Sequence, residues 1–350
     1  MSTAVADKVT APPAAQASDG KDLWAILAGL RALFAFVVLA THVNSFTPHA
    51  AWLMPVMHLG AFTAVVGFFV ISGYSIAHSI ALSQKGFYAR RALRIYPLYL
   101  LGCILAVVPF YLIGHTINAG NGQTLHGPID AKTLLGNMFF LDGFVCHWLI
   151  SNGPVWTLAI EVFFYILAPL FHRMKTPLLL AIIAVSGGLY YLHDRFHVDM
   201  LTNARHGLAA AMLAWAWLLG FVFYRHRSEW WAQVTLIGLG TFLLSRFCEG
   251  GLYYALVMYS VSMFVIITAP GLTLTPRWRK YLTYGGELSY PLYILHYAVL
   301  VLLAASGIHR SAALYVCVTI IVAVAAYHLI DVPIRVRSRK PRPVITQVKP

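Results

Sequence analysis

The sequence predicts an all-α polytopic membrane protein of about ten transmembrane helices, with both termini in the cytoplasm. Three observations predict it. Apolar residues make up 59% of the 350-residue chain and charged residues 11%, against roughly 25% charged in an average soluble domain. Apolar runs of about 17–25 residues, enough to cross ~30 Å of hydrocarbon as helix, recur from one end to the other. With the N-terminus inside, the inner segments hold nineteen Lys and Arg, and the outer ones hold five, Lys132, Arg195, Arg205, Arg246 and Arg310. A split that alternates loop by loop is the positive-inside signal, and an odd number of spans would scramble it.

In order, residues 1–22 are rich in Ala, Ser and Pro and read as a disordered cytoplasmic tail. Their basic region is too weak, and the apolar run after them too long, for a cleaved signal. A membrane domain over 23–333 follows, with spans placed near 24–45, 56–82, 95–114, 155–172, 177–193, 207–224, 232–247, 251–269, 287–305 and 311–331. Segment 116–154 carries Gly, Asn, Pro and Asp. Its apolar patch at 134–150 is too short and interrupted for a span, so a re-entrant or interfacial helix is expected there. Residues 334–350 form a basic cytoplasmic tail.

This layout excludes other classes. A net charge of +13 would suggest nucleic acid in a soluble protein; here its placement assigns it to topology and contact with anionic membrane lipids, so no nucleic-acid partner is expected. The four cysteines form no CxxC pair, and no metal or haem spacing is present. No internal repeat marks an inverted-repeat transporter.

Ionisable residues inside apolar runs cost about 2.5–3.5 kcal/mol each on the insertion scale, so each is a functional candidate. Arg31 and His42 share the first span, in LRALFAFVVLATHVNSF. Eleven residues at about 100° and 1.5 Å apiece put them on nearly one face, about 16 Å apart along the axis. Arg31 lies in the inner third and His42 near the outer end; a snorkelling arginine and an interfacial histidine are the plainer readings. Glu161, in NGPVWTLAIEVFFYILAP, enters from outside to a similar depth. A His42–Glu161 pair would orient the ring as a base-orienting acid does; a helix-packing carboxylate bonded elsewhere is the other reading. The inner loop KGFYARRALRIYPLYL supplies Arg90, Arg91 and Arg94, a cationic patch suited to phosphates, or simply to positive-inside anchoring. In FFVISGYSIAHS, Ser72, Gly73 and Tyr74 lie mid-helix, where small and polar residues allow close packing or local unwinding. In GGELSYPLYILHY, Pro291 should kink the ninth span and free a carbonyl. His296 there is either a polar lining residue or a packed, hydrogen-bonded one.

Together these segments resemble the acyltransferase-3 family of membrane O-acyltransferases, which modify bacterial surface glycans. The matching stretches are LRALFAFVVLATH, GFFVISGYSI, ARRALRIYPLYL, GPVWTLAIEVFFYILAP and GELSYPLYILHY, in one order from residue 30 to about 300. The family's Arg-x10-His pattern falls on Arg31 and His42, its arginine motif on Arg91 and Arg94, and its tryptophan–glutamate helix on Trp156 and Glu161. Its usual Glu-x-Pro is Asp331-Val332-Pro333 here, and the form expected is the stand-alone one, without a fused periplasmic hydrolase-like domain. The resemblance implies a multi-pass protein of the bacterial inner membrane and an acyl-CoA donor, by default acetyl-CoA, with no permanently bound cofactor and no metal. Its acceptor would be a surface glycan or lipid-linked saccharide. Catalysis is assigned to His42 as general base with Glu161 orienting it, either in direct transfer or through a covalent acyl-histidine intermediate. The donor is assigned to Arg31, Arg90, Arg91, Arg94, Ser72 and Tyr74, and the acceptor to Trp156, Tyr290 and His296. A glycan or small-molecule transporter or flippase without acyl transfer is the competing expectation.

Overall fold

The computed structural model describes residues 16–47, 50–114, 116–118, 124–193, 206–246, 252–308 and 311–339. Residues 1–15 and 340–350 of the expected tails lie outside these. The nearer parts of both tails are helical, because α1 (Gln16–Phe46) starts ahead of the apolar run and the chain closes on α13 (Val332–Arg339).

Between them lie α2 (Met54–Met57), α3 (Ala61–Leu82), α4 (Phe87–Leu112), α5 (Ala131–Met138), α6 (Trp156–Arg173), α7 (Thr176–Leu192), α8 (Leu208–Arg225), α9 (Trp230–Leu244), α10 (Leu252–Thr268), α11 (Pro276–Ala305) and α12 (Ala312–Ala326). A π-helical turn, Tyr327–Asp331, joins α12 to α13. Each expected span falls on one of these helices. Eight described segments are long and apolar enough to cross a membrane. The fifth and seventh spans have close to the extents expected, with 17 residues in α7 and 15 in α9. At about 1.5 Å per residue both fall short of the hydrocarbon thickness.

Without a hydrophobic drive between helices in lipid, close backbone approach supplies the packing. Between α3 and α8 it is reciprocal. A Cβ on Gly73 would stand 1.9 Å from the Trp217 carbonyl oxygen, and one on Gly220 would stand 1.9 Å from that of Val70. Helix α3 stays continuous through Ser72–Tyr74, so the small residue serves close packing rather than unwinding. Gly286 of α11 meets Ala28 of α1 in the same way, at 2.3 Å. Asp22 and Arg279 pair at the starts of α1 and α11, and Asp22 also accepts from the Leu274 N–H at 3.2 Å. Helix α11 runs unbroken through the buried Pro291.

Beyond α4 the chain makes a two-stranded hairpin, β1 (Thr116–Asn118) with β2 (Thr124–His126), and then α5. The patch at 134–150 is not one helix: α5 ends at Met138 and turns follow. Asn137, fully buried, pins them. It donates to the Thr133 and His147 carbonyls at 2.8 and 2.7 Å and accepts from Leu149 N–H at 3.2 Å. Tyr99 of α4 closes the knot by donating to the Asn137 carbonyl at 2.7 Å. A 3-10 segment, Ile150–Val155, leads into α6, and its Asn152 donates to the Ile294 carbonyl of α11 at 3.1 Å.

Candidate functional site

Helices α1, α3, α4, α6 and α11 enclose a cavity of about 450 Å³. Its polar wall is a stripe on α3. Ser72, Ser75 and Ser79, three and four residues apart, share one helix face. Each hydroxyl meets one ionisable side chain. Ser72 Oγ donates to Glu161 Oε1 at 2.7 Å, Arg31 Nη2 donates to Ser75 Oγ at 2.8 Å, and Arg91 Nη2 donates to Ser79 Oγ at 2.7 Å. Ser75 passes its own proton to the Ile71 carbonyl at 2.7 Å, so its lone pairs are left for Arg31. Tyr165 donates to the same Glu161 oxygen, and Trp217 Nε1 donates to Ser72 at 3.3 Å.

Four guanidiniums and one carboxylate line this cavity. They are not equivalent. Arg90 is spent on the chain before it, donating to the Ser83 and Lys85 carbonyls at 2.7 and 2.5 Å. Arg94 is exposed and lies within electrostatic reach of Arg31, Arg91 and Arg335. Arg91 Nε is buried and has no hydrogen-bond partner among the described residues. Like charges gathered this closely in a poorly solvated space repel, so the cavity favours an anion.

The other end of α1 is different in kind. His42 is half-buried, and its Nδ1 lies 3.1 Å from Nε2 of His296, which is 1% exposed. His296 Nδ1 lies 2.7 Å from the Tyr293 carbonyl oxygen. Tyr297 meets the His42 ring edge-on, with centroids 5.2 Å apart. Tyr293 connects the two ends. Its ring faces the cavity, and its hydroxyl bonds Thr157 at 2.7 Å and the Pro154 carbonyl at 3.0 Å.

Placement of the expected residues follows. Arg31, Arg90, Arg91, Arg94, Ser72 and Glu161 share the cavity. Glu161 is not hydrogen-bonded to His42 among the described residues; Ser72 and Tyr165 hold it instead. The expected pair therefore separates, because equal depth does not fix which way a helix turns its residues. Tyr74 does not line the cavity but packs behind α3 against Trp24, Phe223 and Tyr224. Tyr290, expected at the acceptor, lines the arginine cavity and donates to the Ile95 carbonyl at 2.6 Å. Trp156 is half-buried at the start of α6, outside that lining. His296 is brought to His42. Sequence reading missed Ser75, Ser79, Tyr165 and Tyr293, although the serine spacing was visible in ISGYSIAHS.

Residues 24–330 match the family described as Acyltransferase domain. The chain is 26% identical to the peptidoglycan O-acetyltransferase OatA of Listeria monocytogenes, over 88% of this chain and 55% of that protein. It is 25% identical to the O-acetyltransferase OatA of Staphylococcus aureus, over 90% and 57%. A putative acetyltransferase of Acidianus two-tailed virus is 24% identical over 64% and 68%. The chain thus spans little more than half the length of the two OatA proteins. No solved structure matches it.

Proposed function

Because the chain belongs to the acyltransferase-3 family, we propose that it is a membrane O-acetyltransferase of the bacterial inner membrane. It takes an acetyl group from cytoplasmic acetyl-CoA and places it on a hydroxyl of a surface glycan or lipid-linked saccharide. One observation carries this reading: a cavity lined by four guanidiniums, Arg31 of α1 among them, also takes in Tyr293, whose carbonyl meets the His296 that faces His42. The basic end of the cavity faces the cytoplasm, in keeping with the distribution of Lys and Arg.

Arg31, Arg91 and Arg94 hold the donor's phosphates, since guanidinium forks match phosphate oxygens. The unpartnered Arg91 Nε is one donor that such a ligand would satisfy. Arg90, tied to its own loop, holds the cavity rim. The pantetheine arm then runs past Arg31 and the serine stripe toward Tyr293. At the histidine end the acceptor hydroxyl attacks the thioester carbonyl carbon. A C–O bond forms, the C–S bond breaks, the hydroxyl proton goes to His42, and CoA leaves as the thiolate. His42, half-buried rather than sealed, keeps room for the hydroxyl. Glu161 is assigned to the donor wall, where it fixes Ser72 and Tyr165 and offsets part of the arginine charge. The acceptor class draws on the relatives named for peptidoglycan and O-acetyl transfer.

The test is deletion of the gene, followed by mass spectrometry of base-labile acetyl esters on the cell's surface glycans. Wild type restores a lost ester; His42→Ala, at equal membrane abundance, restores it at a rate lower by roughly 10²–10⁴, the usual contribution of a general base. An unchanged ester pattern in a strain that makes the protein overturns the acceptor class. Full restoration by His42→Ala overturns the base.

A further inference from the structure

We propose that His296 is a positioning residue that fixes the tautomer of His42 and so leaves Nε2 of His42 as the basic nitrogen. The inference rests on reading His42 as the base, and it follows from donor and acceptor accounting along one chain of contacts. A carbonyl oxygen only accepts, so the 2.7 Å contact with the Tyr293 carbonyl requires the proton of His296 on Nδ1. A neutral imidazole carries one N–H, so its Nε2 is then an acceptor. That atom lies 3.1 Å from Nδ1 of His42, which must therefore donate. Val38, four residues back on α1, also offers the His42 ring a backbone hydrogen bond. The lone pair of His42 consequently sits on Nε2, the nitrogen that does not face His296.

The same geometry anchors the relay. His296 is 1% exposed and stands one turn beyond Tyr293 on α11, and Tyr293 is itself held by Thr157 and the Pro154 carbonyl of the segment leading into α6. Tyr297 meets the His42 ring edge-on from α11. Orientation thus comes from a neutral imidazole backed by a main-chain carbonyl, in the place where a carboxylate was expected. A neutral orienter suits a poorly solvated site, because it sets the tautomer without adding a buried charge.

The experiment uses membrane vesicles from the producing strain, supplied with acetyl-labelled acetyl-CoA, and follows label entering the endogenous glycan. Three variants are compared at equal membrane abundance. His296→Leu removes the acceptor and is expected to lower the maximal rate at least about tenfold, since a wrong tautomer alone is costly in the analogous hydrolase triad. The acetyl-CoA KM stays unchanged. His296→Gln puts an amide oxygen near the position of Nε2 and restores most of the rate; His296→Asn reaches only the position of Nδ1 and does not. Equal rates for the Gln and Asn variants, or a loss confined to KM, would overturn the proposal. His42→Ala serves as the reference. If it retains wild-type rate, the base assignment fails and the relay falls with it. If it is inactive while every His296 variant matches wild type, only the relay fails.

Discussion

The two ends of α1 solve opposite problems. At the arginine end, charges stand in an open cavity and are held by small hydroxyls, with Arg31 on Ser75 and Arg91 on Ser79. At the histidine end, neutral rings close on one another, with His42 on His296 and His296 on a carbonyl. A hydroxyl partner leaves most of a guanidinium's five donors free for a ligand. A ring stacked in a chain leaves one nitrogen free. The first end is built to hold a large anion, and the second to present a single lone pair.

The largest effect should come from removing charge at the open end. Arg31→Met keeps most of the apolar stem of the side chain and deletes the cation. A hydrogen bond to a charged group is worth about 1.5–3 kcal/mol, so the acetyl-CoA KM should rise roughly 10- to 100-fold. The saturated rate should stay close to wild type. This split mirrors the one expected for His296→Leu, where rate falls and KM holds. Steady-state titration of acetyl-CoA on vesicles measures both, and a rate loss at constant KM for Arg31→Met would erase the distinction between the two ends.

How much of this was legible in the sequence follows from what each signal encodes. The step of eleven residues from Arg31 to His42 fixes both an angle and an axial distance within one helix, so the expectation of a single shared face could be read directly. Placing Glu161 beside His42 needed the rotation of α6 against α1, which no spacing within either helix contains. The serine stripe was encoded at positions 72, 75 and 79, yet serine is tolerated at small-residue packing seams, and neighbouring Gly73 marks such a seam. Helices α7 and α9 read as spans because they are apolar throughout, and the stretches placed at 177–193 and 232–247 already carried their short length. The knot around Asn137 rests on contacts among α4, α5 and the turn after α5, and no local pattern announces it.

A smaller effect is expected from Glu161→Gln, and it sharpens the comparison. Glutamine can still accept from Ser72 and Tyr165, while the negative charge facing the arginines is lost. If Glu161 belongs to the donor wall, the substitution should change the acetyl-CoA KM by only a few-fold, about 1 kcal/mol or less, and leave the saturated rate nearly intact. A rate collapse matching His42→Ala at unchanged KM would instead join carboxylate and imidazole into one unit. The separation of the two ends would then be an error of assignment.

The smallest effect on catalysis concerns the knot around Asn137. Asp142, in the turn after α5, is 1% exposed, and burial pushes its carboxyl up to about 8, against a weaker pull from its own backbone N–H. Tyr99 and Cys103 of α4 and Cys146 of the same turn face it. The folded value is above the unfolded one of about 4, so the contribution to stability is complete below pH ~4 and is lost as pH rises toward 8. The melting temperature of the detergent-solubilised protein should therefore decline between pH 5 and pH 8. Asp142→Asn should flatten that decline while leaving the acetyl-CoA KM and the saturated rate unchanged. A wild-type profile that is flat, or an Asn variant that keeps the slope, would show that Asp142 is not the group that ties stability to pH.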